Sequence, residues 1–198
     1  MKKYISVLFI TGIILLTGCK DVEVFYPIPL STSALFVIKT SGGSYSDTVF
    51  IPSDDIIKDV TKKLADSGLE RRHLHKVVLE GVAITIKEPS VQNIVVSGDL
   101  YIRYGSSQFT GIMKLNNVNL SETEGKPQSD ILTPAGVSVL DQALQDIIFT
   151  SNVASNIAVR SSGSLAPGTP GDVTFAMLVE FTITTVVKKK QSIFDPLG

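Results

Sequence analysis

Apolar and polar residues alternate with a period of two over long stretches of this chain. In 173–187, VTFAMLVEFTITTVV, one face carries Val173, Phe175, Met177, Val179, Phe181, Ile183 and Val187. The other carries Thr174, Glu180, Thr182 and Thr184. Alternation of that length predicts a long strand with one buried face. The stretch 156–165 has Ile157, Val159 and Leu165 in phase and is the expected partner, joined through the Pro- and Gly-rich loop 166–172. Earlier, 93–104 places Ile94, Val96, Leu100, Ile102 and Tyr104 on one face, and 108–120 groups Phe109, Met113 and Leu115. In 76–86, Val77 and Leu79 keep odd phase while Val82, Ile84 and Ile86 keep even phase. One extra residue must be absorbed between them, and Gly81 is the natural bulge position. A smaller slip falls at Asn116–Asn117, before Val118 and Leu120. Bulges bend strands, so the expected sheet is curved.

Two stretches switch to the helical period. Ser53 stands as a cap before DDIIKDVTKKLADSG, with Asp54 and Asp55 in the first turn, a stripe of Ile56, Val60 and Leu64, and Gly68 as the stop. Thr133 and Pro134 open the second helix, 133–149. Val137, Leu140, Leu144, Ile147 and Ile148 form its apolar face, opposite Asp141, Gln142, Gln145 and Asp146. The order is two or three short strands in 22–51, a helix, three strands, a helix and two strands. It predicts an α+β fold: a curved antiparallel sheet or meander with two amphipathic helices packed on one face. In this reading a helix–strand–strand unit occurs at 53–105 and again at 133–187, without repetition at residue level.

The N-terminus adds a location. Lys2 and Lys3 precede the apolar run Tyr4–Leu16. As a helix the run rises roughly 20 Å, short of the ~30 Å hydrocarbon core, which fits a secretory signal rather than a span. It leads into Leu16-Thr17-Gly18-Cys19, which holds the single cysteine of the chain. This segment resembles the lipobox of bacterial lipoproteins. The resemblance implies cleavage between Gly18 and Cys19 and a Cys19 thioether to diacylglycerol, with fatty acid such as palmitate on the new amine. It divides the chain into a cleaved signal peptide, 1–18, a lipidated anchor and short tether, 19–22, and one β-rich domain, 23–198. Lys20 after the cysteine is similar to an outer-membrane passenger. Lys20-Asp21-Val22-Glu23 partly resembles the lysine-then-acidic export signal of surface lipoproteins in Bacteroidetes-like bacteria, with Val22 interrupting the acidic pair. The expected location is the cell envelope, lipid-anchored, on the periplasmic face of the outer membrane or at the cell surface.

With one cysteine no internal disulfide can form, so the fold rests on packing. Without Lys2 and Lys3, the 18 basic side chains fall to 16 against 19 acidic ones. That balance argues against a nucleic-acid partner. Trp is absent and aromatics are few, so no stacking platform is evident. The clearest candidate contact is Arg71-Arg72-His73-Leu74-His75-Lys76. His73 and His75 would share a face on a strand, but a zinc site needs three or four ligands and the flanking cations repel a metal. Contact of Arg71, Arg72, His73, His75 and Lys76 with anionic headgroups or phosphate is the functional reading, and a solvated turn the plainer one. Lys188-Lys189-Lys190 reads as a solvated strand end that discourages edge pairing. No GxSxG elbow, phosphate loop, HExxH or EF-hand pattern occurs, so neither an enzyme nor a cofactor or metal is expected. The expectation is a non-catalytic lipoprotein, anchored in the membrane through Cys19, that binds an envelope protein or scaffolds. The alternative is a lipid or hydrophobic-ligand module with a cavity between sheet and helices. The element order loosely resembles small periplasm-facing lipoproteins related to tubular lipid-binding folds.

Overall fold

The computed structural model describes residues 19–41, 43–129, 132–151, 154–168 and 171–194. In chain order the elements are β1 (Cys19–Thr40), β2 (Ser44–Ile51), α1 (Ser53–Asp66), β3 (Leu74–Lys87), β4 (Val95–Tyr104) and β5 (Thr110–Asn119). They continue with α2 (Leu120–Thr123), α3 (Pro134–Thr150), β6 (Ile157–Leu165) and β7 (Val173–Phe194). The class is α+β, as the alternation and the two helical stripes require. The strands form two antiparallel sheets: sheet A in the order β1-β7-β3, sheet B in the order β2-β6-β4-β5.

Sheet A is built on its first and last strands. β1 and β7, 22 residues each, pair from Cys19↔Phe194 to Thr40↔Val173 without a slip. Even positions of β1 face the core, including Phe36 and Ile38, and odd positions of β7 do the same from Val173 to Val187. Pro27 and Pro29 interrupt neither, because β1 is an edge strand and needs no donor on its free side. The short strands expected in 22–51 are therefore one long strand and β2.

β7 pairs with β1 and β3, whereas β6 pairs with β2 and β4. The expected 156–165 to 173–187 hairpin is not formed. The loop between them carries the chain from one sheet to the other, and their inner faces meet, with Ser161 Oγ 4.0 Å from Met177 Sδ. β3 and β4 likewise lie in different sheets, so the helix–strand–strand units are not antiparallel pairs.

The expected bulges are present. The β3–β7 register shifts between Leu79 and Gly81, and the β4–β5 register shifts opposite Asn116–Asn117. A further shift, from Leu100↔Met113 to Tyr101↔Gly111, leaves Ile112 as an extra residue. Ile112 and Met113 are both buried. The alternation is thereby offset by one residue, and Phe109 does not share the core face of Met113 and Leu115.

The helices fill the open side of the sandwich. α3 touches β3 in one sheet and β4 and β5 in the other, and α1 packs on α3 and β1. Ile56, Val60 and Leu64 of α1 and Leu140, Leu144, Ile147 and Ile148 of α3 are buried as their spacing predicts. Thr133 caps α3, accepting from Gly136 N at 3.1 Å, with Pro134 in the first turn. Ser53 does not cap α1. It is the first helical residue, fully enclosed, and its hydroxyl donates to Ser155 O; Pro52 holds the cap position without a side-chain bond. α2 leads from the end of β5 to 124–128, which joins the free edge of β3 through Ile84 N–Gln128 O (2.8 Å) and Gln128 N–Ile84 O (2.7 Å).

Candidate functional site

β1 and β7 run on past the start of β3. Pairing with β3 begins at Leu74↔Val187, so Cys19–Phe25 and Lys188–Phe194 form a two-stranded ribbon. Residues 19–22, expected as a tether, are the first residues of β1 and pair with 191–194. Gly18 and the rest of 1–18 lie outside the described residues. Among the described residues no helix is long and apolar enough to cross a membrane.

Strand register concentrates cations beside this ribbon. Lys188 is opposite Phe25, Lys189 opposite Val24 and Lys190 opposite Glu23. The Lys188 ammonium lies 2.7 Å from Glu23 Oε1. That hydrogen-bonded ammonium holds the Glu23 carboxyl below its ordinary range, with Lys190 and His75 adding weaker pulls. The half-exposed Phe25 ring lies 5.2 Å from the His75 ring and 6.0 Å from Lys188 Nζ, both measured to its centroid. Lys76, exposed, is opposite Val186.

The sequence cluster 71–76 divides in two. The Arg71 guanidinium donates to Ile148 O near the C-terminal end of α3, where the helix presents unpaired carbonyls. Arg72 pairs with Glu70 at 3.0 Å in solvent. His73 Nδ1 accepts from Glu70 N at 3.0 Å and the Glu70 side chain bonds back, closing the 3-10 turn Arg71–His73. These three side chains have local structural partners. His73 and His75 also part: one is tied to Glu70, the other meets Phe25 at a tilt of 55° beside the Leu74/Lys76 register shift. What gathers near the ribbon is His75 and Lys76 with Lys188, Lys189 and Lys190. The tri-lysine run was legible in the sequence. Its place beside His75 depends on the β3–β7 pairing, which no local signal reveals.

Two clefts bear on other chemistries. Between β1 and α1, one place where the alternative reading would put a ligand cavity, a cleft of about 250 Å³ is lined by Leu30, Ile56 and Ile183 but also by Asp55 and Asp59. On sheet B an open depression of about 500 Å³ lies over Gly98 and Gly163, flanked by Ser97, Asp99, Lys114 and Ser162. The Tyr45 ring meets Phe175 edge-on beneath it, and burial pushes the Tyr45 phenol up.

No protein-family model matches the chain, and no curated protein matches it. Among solved structures, one of Desmodium yellow mottle tymovirus is similar at 14% identity and a TM-score of 0.35, over 88% of this chain and 86% of that one. One of infectious bursal disease virus Gx strain is similar at 13% identity and a TM-score of 0.32, over 85% of this chain and 36% of that one. Overlaps at these TM-scores carry no argument about the fold or the function.

Proposed function

We propose that the protein is a lipid-anchored envelope lipoprotein, non-catalytic, that works by binding or scaffolding another envelope protein. The observation that best supports this is that Cys19 is itself a strand residue, paired with Phe194. A diacylglycerol on Cys19 would continue directly into the ribbon, with no long tether between membrane and domain. Lys188, Lys189, Lys190, His75 and Lys76 then stand at the membrane-proximal end, where each basic side chain contributes about 1 kcal/mol at an anionic surface. Phe25 among them exposes an apolar ring that could bury at the headgroup–acyl boundary. The hydrophobic-ligand alternative has less support, because the cleft between β1 and α1, about 250 Å³ with two carboxylates in its wall, falls below the ~300–1,000 Å³ of drug-sized ligand sites.

Cys19→Ser tests the anchor. The variant should remain uncut and take up no labelled palmitate. Palmitate labelling equal to wild type would overturn the lipobox reading. Cross-linking of the wild-type protein in its own membranes tests the scaffolding role, and recovery of no stoichiometric partner would count against it.

A further inference from the structure

The outer face of sheet B carries a cationic pair that the anchored reading does not use. Arg103 on β4 and Arg160 on β6 hold their guanidinium carbons 4.6 and 4.1 Å from the centroid of one ring, Phe109. Arg160 also lies 4.8 Å from the Tyr101 centroid. The β4–β6 register sets Tyr101 opposite Arg160 and Arg103 opposite Ala158, so the two arginines are diagonal neighbours. Phe109 reaches them because the extra residue at Ile112 turns the strand over. In unbroken alternation Phe109 would follow Met113 and Leu115 into the core.

Two like charges in this position repel, and the usual remedy is a carboxylate between them. Among the described residues neither guanidinium has one within ion-pair distance. Asp99, also on β4, is opposite Ser162 and Lys114 and diagonal to Arg160 on the side away from Arg103, outside ion-pair distance. Both Nε atoms are shut from solvent without an acceptor. Aromatic faces offset part of that cost and fix the guanidinium planes. What remains is a pair of planar forks carrying two positive charges, with no carboxylate ion-paired to either among the described residues.

We propose that Arg103 and Arg160, backed by Phe109 and Tyr101, bind a dianionic oxyanion of the kind carried by phosphate monoesters. Guanidinium forks match phosphate oxygens in geometry, and two of them match a dianion in charge. The site belongs to sheet B and is separate from the lysine-rich ribbon of sheet A.

The test is titration of the full lipidated chain in neutral detergent, followed by calorimetry and by arginine side-chain NMR. The probes are inorganic phosphate, phenyl phosphate, acetate and micellar phosphatidic acid. Phosphate and phenyl phosphate should bind saturably and shift the Arg103 and Arg160 signals, with acetate at least about tenfold weaker. Tighter binding of phenyl phosphate than of phosphatidic acid assigns a soluble source, and the reverse assigns a lipid headgroup. Arg160→Gln and Arg103→Gln should each weaken phosphate binding roughly tenfold or more. Arg160→Lys, which keeps charge but loses the fork, should lie between and controls for folding, checked by melting temperature. No saturable response up to about 20 mM phosphate, where even a millimolar site would be nearly filled, would overturn the proposal. So would equal binding by a folded variant lacking both arginines.

Discussion

Sheets A and B each bury one face against the other, and they reach that end by different means. In sheet A, β1 and β7 keep a single register over their whole length. Parity alone decides which side chain faces inward. The same register carries on beyond the core and delivers Glu23, Phe25 and Lys188 to the outside of the ribbon. Sheet B has shorter strands, and β4–β5 slips twice. There the bulges decide what meets what, and Gly98 and Gly163 let β4 and β6 approach closely. An unbroken register extends a surface along the strands. A broken one gathers residues such as Phe109, Arg103 and Arg160 into a cluster.

The largest expected effect strikes the centre of sheet A. Phe181 on β7 is fully buried between β1 and β3. Phe181→Ala should cost about 3–5 kcal/mol in urea unfolding, from lost burial and the cavity left behind. A loss under about 1 kcal/mol would mean the sheets do not close on this strand. The matching change in sheet B is Gly163→Ala. A methyl there would overlap Ser97 O and lie 2.8 Å from the Tyr45 hydroxyl, and the facing Gly98 Cα would be 2.9 Å away. Overpacking of this kind costs about 1–3 kcal/mol, and here backbone rather than a flexible side chain must give way. If Gly163→Ala melts like wild type, the close approach of β4 and β6 is not required.

The same contrast explains what could be read from residues alone. α1 and α3 were legible because Ile56, Val60 and Leu64, and Leu140, Leu144 and Ile147, repeat at helical spacing, with Gly68 after α1 and Thr133-Pro134 before α3 as boundary signals. The Gly81 bulge and the Asn116–Asn117 slip were legible because the apolar phase visibly jumps there. The Ile112 bulge left no such trace, since Ile112 and Met113 are both apolar and either could face the core. Strand partners were not legible either. β6 and β7 are neighbours in sequence and alternate alike, yet their inner faces meet across the core, a choice set by the whole sandwich. In the candidate site, neighbours in sequence do not share partners. Arg71 bonds to α3 and Arg72 and His73 to Glu70, while Lys188 and His75 both reach Phe25 from distant parts of the chain.

A smaller effect is expected on the outer face of sheet A. Val37 is 60% exposed on the edge strand β1, beside Leu35 at 53%. Val37→Asp should change stability by no more than about 0.5 kcal/mol, as for most surface positions. A clear drop in melting temperature at high dilution would show that this face is covered in the folded protein.

The smallest effect tests whether the ribbon behaves as part of sheet A or as a loose extension of it. Glu23 and Lys188 form an ion pair in which both side chains are substantially exposed, 45% and 35%. The Glu23 carboxyl is lowered in the folded chain by the Lys188 hydrogen bond. A group whose folded value lies below its unfolded one favours folding above the unfolded pKa. That contribution is lost as pH falls through the folded value. Wild type and Glu23→Gln should therefore differ at neutral pH and converge on acidification, in the region between about pH 5 and pH 3. Solvent and salt screen the pair, so global melting should barely register the substitution. Amide exchange is the sensitive measurement, because local opening of the ribbon need not involve the core. At neutral pH and low salt, Glu23→Gln should speed exchange at Val24 and Lys189 and leave Phe36 and Val179 unchanged. Equal acceleration at all four amides would show that the ribbon opens only with the whole of sheet A.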